Sequence, residues 1–351
     1  MVQRVTEVEL RRFMVAALRA AGADAPSAKA VTEALAHASR LGVDSHGLRL
    51  LPHYIKVLGT GRINPRPTIG IDACTTATAR LDGDNGFGHL AGYRAMAEAV
   101  RLAERHGLGA VAVVNSSHFG AAGAYALWAA QAGYIGLCVC NSDSLVQLYD
   151  GRDAFHGTSP IAFGAPLPDG PPYLIDMATS AVPWNRVLAY RAAGKTLPEN
   201  VAVDAEGHAT TNAQDARSLK PLGGDYAYKG AALAGLVEVL SSALTGMALS
   251  HALLPMSGPD FETPRRLGQF FLAMKPEAFL ERPLYDRQMG DYLSALRGAV
   301  AIEGSKVMAP GDREWATATE RSREGIPVDA QNVLAYGEIA VKHGIAPLMI
   351  S

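Results

Sequence analysis

The segment Ser116-Ser117-His118-Phe119-Gly120 follows an apolar run, AVAVVN at 110–115, and precedes the small-residue stretch Ala121-Ala122-Gly123-Ala124. Read as strand, turn and helix, it puts His118 at the carboxyl end of a strand beside a helix N-terminus. Ligands of α/β proteins tend to bind there. The small residues allow a ligand ring to approach closely. Imidazole titrates near neutral pH and can exchange a proton with a substrate oxygen. A histidine that only hydrogen-bonds its own turn would have the same local sequence.

Asp44-Ser45-His46-Gly47 is a second candidate. No G-x-S-x-G elbow surrounds Ser45, so the adjacent serine and histidine do not read as a hydrolase triad. Capping of a following helix would account for Asp44 and Ser45 but leaves His46 unexplained. Lys229 lies before a long apolar helix and after Gly223-Gly224. A lysine there can meet an anion together with helix N–H groups, although a lone solvated lysine is commoner. Asp176 ends a strand candidate and either accepts from a hydroxyl or ribose or starts a turn. The nearest match to a dinucleotide fingerprint, GLGAVA at 107–112, precedes its strand and so fails the required context. No H-E-x-x-H, C-x-x-C or carboxylate cluster occurs, and no metal is expected.

These residues need a frame. Apolar spacing predicts helices over 5–21, 27–40 (Ser27 as N-cap) and 48–58, an all-helical opening. Strands are predicted at 78–81, 110–115, 134–140, 161–165, 173–176 and 269–274, with helices at 89–106, 121–132 and 230–249. Taken alone, the strand–helix–strand unit over 110–140 suggests a parallel, doubly wound sheet. Helices at 282–296, 317–324 and 330–343 close the chain and are expected to pack on the opening ones.

Composition narrows the function classes. The 351 residues are 48% hydrophobic and 19% charged, which is globular. Lys and Arg number 32 against 34 Asp and Glu, a net charge of −2, so neither nucleic acid nor an anionic membrane is an expected partner. The three cysteines have no framework spacing and suggest reduced thiols. The N-terminus lacks an apolar signal core and no apolar run reaches membrane-spanning length, so a cytoplasmic location is expected.

In chain order, Asp44-Ser45-His46-Gly47, Asn115-Ser116-Ser117-His118-Phe119, Asn141-Ser142-Asp143, His156-Gly157-Thr158-Ser159-Pro160, Asp176-Met177-Ala178-Thr179-Ser180, Thr210-Thr211-Asn212, Tyr228-Lys229-Gly230 and Pro310-Gly311 resemble the type-2 malate/L-lactate dehydrogenase family. The resemblance spans nearly the whole chain. It implies an α/β, non-Rossmann nicotinamide-binding fold with a mainly antiparallel sheet flanked by helices, plus a helical subdomain from both chain ends. The implied division is 1–65 helical, 66–300 cofactor- and substrate-binding, and 301–351 returning to the first. It implies a homodimer using NAD, or NADP, to pass hydride to and from C2 of a small 2-oxo or 2-hydroxy acid. The family's cyclic-imine (piperideine- or pyrroline-2-carboxylate) reductases are the alternative.

The resemblance also assigns roles. His118 matches the proton donor and acceptor, and Ser45 with His46 an active-site pair. Tyr54 and Thr158 match residues near substrate. Ser142, Asp176, Met177, Ala178, Lys229, Gly311 and Asp312 match cofactor contacts. Two positions depart from the pattern. The usual carboxylate-binding arginine is Leu50 here, with Arg49 beside it, about 100° away around a helix. Arg186 stands where imine reductases have aspartate and many hydroxy-acid enzymes lysine. Arg186 or Arg49 is expected to clamp the substrate carboxylate.

Overall fold

Thr6 and Asp24 start the first two helices, Glu7–Ala20 and Ala25–Arg40, by accepting from the backbone N–H groups of Glu9 and Ser27. The cap of the second helix is therefore Asp24 and not Ser27, which is buried in the first turn after Pro26. The computed structural model describes residues 3–350. Leu10, Phe13, Met14, Ala17 and Leu18 recur at helical spacing and are all buried. They share one apolar core with Tyr336, Ile339 and Ala340 of the closing helix, Ala330–His343. Phe13 stacks on Tyr336 with ring centroids 5.1 Å apart. Strand Gln3–Val5 pairs antiparallel with Ile326–Val328, joining the two ends of the chain into one helical subdomain. Three-residue strands are too short for periodicity to reveal.

The main sheet has seven strands, in the order Gly70–Ala73, Thr78–Asp82, Leu108–Ser116, Leu267–Met274, Ile135–Cys140, Ile161–Ala165, Tyr173–Met177. Only Thr78–Asp82 with Leu108–Ser116 is parallel; every other neighbouring pair is antiparallel. The sheet is mainly antiparallel, and the doubly wound pattern suggested by 110–140 is wrong. Leu267–Met274 inserts between Leu108–Ser116 and Ile135–Cys140 and runs against both. A buried strand looks alike in either kind of sheet, and its partner here comes from far downstream.

Helices Gly88–His106 and Gly123–Gln131 bury Ala95, Met96, Ala99, Tyr125 and Ala126 in the same core as Val111, Cys138 and Phe271 of the sheet. Leu108–Ser116, Ile135–Cys140 and Tyr173–Met177 all point the same way, each pair separated by one antiparallel strand. Their carboxyl ends therefore meet along one edge, followed by His118, Ser142 and Ala178 respectively. A second, four-stranded sheet of two- and three-residue strands, with the helix Trp184–Ala192, closes over its own small core. The helix expected over 230–249 is Tyr228–Glu238, followed by a single wider turn, Val239–Ala243. Cys138 and Cys140 are buried free thiols. Among the described residues no helix is long and apolar enough to cross a membrane, and no cluster of His, Cys, Asp or Glu could hold a metal.

Two histidines buried in this frame make its stability depend on pH. Burial holds His37 and His89 down to about 3, with Arg40 and Arg11 adding to the effect at His37. An unfolded chain protonates both near 6.5. As pH falls through that value the unfolded state gains protons that the fold refuses, so stability is lost between about 6.5 and about 3. By pH 5 each histidine should have cost about 2 kcal/mol. Denaturant titrations at pH 7 and pH 5 measure the loss, and His89→Phe should reduce it.

Candidate active site

Asn115, at φ 49°, bends the strand opposite an irregularity between Leu267 and Gln269, one residue before the strand ends and the His118 loop begins. Ser117 Oγ accepts from Gly88 N at 2.8 Å and donates to Gly86 O at 2.9 Å. Gln269, on the inserted central strand, donates to Ser116 Oγ (2.9 Å) and Ser117 O (3.1 Å). The loop is thus fixed by the sheet below it and by the start of Gly88–His106.

The helical subdomain supplies the facing groups. Tyr54, on helix Leu51–Gly59, places its hydroxyl 2.6 Å from His118 Nδ1. Ser45 Oγ lies 2.8 Å from His46 Nδ1, and the His46 ring stacks on His118 at 5.7 Å. The capping explanation for Asp44 and Ser45 does not hold, since neither side chain caps the turn. Asp44 instead pairs with Arg321 of the closing helices at 2.6 and 2.9 Å. Asn185 Nδ2 donates to Ser45 O at 3.3 Å, bringing Trp184–Ala192 against the pair.

Burial, and then the charges possible on His46, His89, Arg265 and His53, hold His118 well below the ordinary imidazole range. Burial takes His46 down to about 4. His53 falls to about 4 through burial, with Arg265 and Arg62 nearby. Burial raises the Tyr54 phenol well above its usual value. At neutral pH the site holds neutral imidazoles and a neutral phenol. A neutral imidazole there can take a proton, and a protonated one is a strong acid.

Sequence reasoning missed Arg265, His53 and His89. Arg265 is buried, pairs with Asp143, and donates from Nε to Leu254 O at 2.8 Å. His89 is wholly buried beneath Tyr54, 4.8 Å between ring centroids, with neither ring nitrogen partnered. No local pattern distinguishes these residues. Burial of an arginine and two histidines around one imidazole becomes visible only in the packed fold.

A second group adjoins the first. Gly123, opening helix Gly123–Gln131, donates its N–H to the Asp176 carboxylate, and a Cβ there would lie 2.7 Å from Asp176 Oδ2. Burial nevertheless pushes Asp176 up to about 6. Thr158 O accepts from Thr179 N at 2.9 Å, and Thr158 Oγ1 lies 3.4 Å from Ser142 Oγ. Thr179 O accepts from Leu222 N at 2.8 Å, and Leu222 packs on Gly230, next to Lys229. Ser142, Thr158, Asp176, Met177, Ala178 and Lys229 thus lie on linked segments at the sheet end that also carries His118. The Lys229 ammonium has no ion pair among the described residues and lies 5.4 Å from the Tyr226 ring. Gly311 packs on Leu174 of the same edge strand, while the Asp312 carboxylate is held by Arg297 at 2.7 Å and Ala309 N at 2.9 Å. Hydrogen-bonding groups along a strand edge, an unpaired ammonium and the exposed Met177 side chain fit a dinucleotide.

The two arginines part company. Arg186 is exposed on Trp184–Ala192, next to the residue that contacts Ser45. Arg49 is exposed in a groove with Gln3, Asp44 and Pro327 to Asp329, which contains none of the residues around His118. Leu50 packs against the helical core.

Residues 5–335 match the family model described as malate/L-lactate dehydrogenase. The chain is 34% identical to a malate dehydrogenase of Pyrococcus abyssi, over 99% of this chain and 97% of that one. It is 32% identical to an L-sulfolactate dehydrogenase of Methanothermobacter thermautotrophicus, over 93% of each. The solved malate dehydrogenase of Entamoeba histolytica superimposes with a TM-score of 0.93 at 31% identity, covering 99% of this chain and all of that one. The chain belongs to the malate/L-lactate dehydrogenase family and is, like these relatives, an oxidoreductase acting on CH–OH groups.

Proposed function

We propose that this enzyme interconverts a small 2-hydroxy acid and its 2-oxo acid, of malate or sulfolactate type, with His118 as the acid/base. The observation that carries the reading is the neutral His118 ring, held at Nδ1 by Tyr54 at 2.6 Å, beside the Ser142–Asp176–Lys229 group. NAD, or NADP, when bound, supplies the hydride donor and acceptor. Ser142, Asp176, Met177, Ala178, Lys229 and the Gly311–Asp312 turn would hold it.

For His118 to take the substrate hydroxyl proton at Nε2, the ring must be in the tautomer whose Nδ1–H donates to the Tyr54 oxygen, which gives up the long Gly120 N–H contact to Nδ1 at 3.4 Å. In reduction the protonated ring returns that proton to the forming alkoxide. Tyr54, kept neutral by burial, orients the ring and accepts from its Nδ1–H as the ring gains charge. Ser45 orients His46, whose ring stacks on His118. Thr158, whose Oγ1 lies 3.4 Å from Ser142 Oγ, would stand beside the substrate.

Arg186 supplies the substrate carboxylate clamp in this reading, because its helix touches Ser45 whereas Arg49 opens into another groove. Losing a charge-assisted contact of about 1.5–3 kcal/mol should raise KM roughly 10- to 100-fold in Arg186→Ala. Arg49→Ala should leave KM within about twofold. Steady-state kinetics on both variants tests the assignment, and equal effects would defeat it.

The active form is proposed to be a cytoplasmic homodimer. Leu236, Val239 and Leu244 are 46%, 60% and 59% exposed along one stretch of chain, an apolar face of the kind that pairs subunits. Sedimentation equilibrium tests this, and a monomer at working concentrations would exclude it.

A further inference from the structure

Between the first two helices and the outer faces of Gly88–His106 and Gly123–Gln131 lies a cavity of about 620 Å³. Arg11, Lys29, Arg40 and Arg94 line it against one carboxylate, Glu33, which is already bound to Arg11 at 2.7 Å. Lys29, Arg40 and Arg94 have no ion pair among the described residues. Cations gathered in a concavity repel one another and focus a positive field that favours an anion.

A second observation is independent of charge. His37 lines the same cavity, is only 7% exposed, and its Nε2 has no hydrogen-bond partner. Buried ring nitrogens in folded proteins are normally satisfied, so this one offers a polar partner to a molecule entering the cavity. Leu90, Leu127 and the 37%-exposed indole of Trp128 supply an apolar wall. The cavity shares no residue with the His118 site. Its inner wall, Tyr93, packs on Tyr125 at 4.8 Å, and Tyr125 in turn donates to Phe119 O behind the His118 loop.

We propose that this cavity binds a nucleotide-sized organic phosphate. Its phosphates sit among Arg40, Arg94 and Lys29, its planar ring lies on Trp128, and a polar atom meets His37 Nε2. Guanidinium groups match phosphate oxygens in paired geometry, and the volume exceeds what an inorganic ion fills.

The test titrates the full-length protein with GTP at low salt, followed by calorimetry and by tryptophan fluorescence. The chain has three tryptophans, so Trp128→Phe isolates the one in the cavity. The expected results are saturable heat and a fluorescence change that Trp128→Phe abolishes. Arg40→Ala combined with Arg94→Ala should weaken binding about 100-fold, about tenfold for each arginine. Lys229→Ala should bind as the parent does. No saturable heat, unchanged affinity in the arginine double variant, or loss of binding in Lys229→Ala would each overturn the site. Tripolyphosphate binding as tightly as GTP would overturn the ring contact and with it the nucleotide assignment.

Discussion

Replacing His118 with alanine is expected to lower kcat about 10²- to 10⁴-fold while leaving affinity for the nicotinamide cofactor nearly unchanged. The split follows from where the ring sits. His118 meets Tyr54 and His46, whereas the groups suited to the cofactor lie on the neighbouring strand ends around Asp176 and Thr158. Removing the imidazole deletes the proton acceptor and none of those groups. Because burial, with Arg265 nearby, keeps the ring neutral, the acidic limb of kcat/KM for oxidation should lie below the ordinary histidine value near 6.5. His46→Ala should cost less than His118→Ala with a 2-hydroxy acid. The reverse order would favour the cyclic-imine reading, in which His46 is the acid. Rate measurements in both directions, with cofactor binding followed by fluorescence, check all of these outcomes.

The second large effect arises away from the chemistry. Gly88→Ala should cut kcat on the order of 10²-fold. A Cβ at Gly88 would lie 2.0 Å from Ser117 O and 2.8 Å from His118 O, both backbone atoms. Neither can yield as a flexible side chain would. The helix start or the His118 loop must therefore shift by about an ångström, and a displacement of that size at a reacting group costs about 10²-fold. The same shift disturbs the Gly88 N to Ser117 Oγ hydrogen bond of 2.8 Å, so Tm should fall as well. Gly337→Ala is the matched control: it lies within helix Ala330–His343 with nothing within 4 Å of its Cβ position. It should be neutral or stabilising by up to about 1 kcal/mol. Full activity in Gly88→Ala would show that the loop is not held as described.

Local sequence was informative where local rules govern. The strand before His118 and the helix after the small residues are legible locally, and the structure has that strand, turn and helix. The sheet was not legible locally. Its central strand, Leu267–Met274, separates two strands that the chain presents as a simple strand–helix–strand unit. Nothing within 110–140 encodes that insertion. The two-residue strands Val146–Gln147 and Ala202–Val203 lie below any periodic signal. At the site, Ser45 and His46 were legible as neighbours in sequence, whereas Tyr54 was reachable only through the family resemblance, because its partner His118 comes from the sheet. Arg265 and His89 carried no signal, since tertiary packing alone sets them around His118. The direction of Arg49 was likewise not legible: it and Leu50 are neighbours in the 3-10 turn Leu48–Leu50, where successive side chains diverge by about 120°. Contact between Asn185 and Ser45 favours Arg186.

The most direct test follows the reduced-nicotinamide absorbance band while NAD and NADP are each crossed with malate, sulfolactate, lactate, their 2-oxo acids and a cyclic imino acid. The account predicts reversible turnover of at least one 2-hydroxy/2-oxo pair that collapses in His118→Ala. Turnover of the cyclic imine alone, or of a 2-oxo acid at an undiminished rate in His118→Ala, would contradict it.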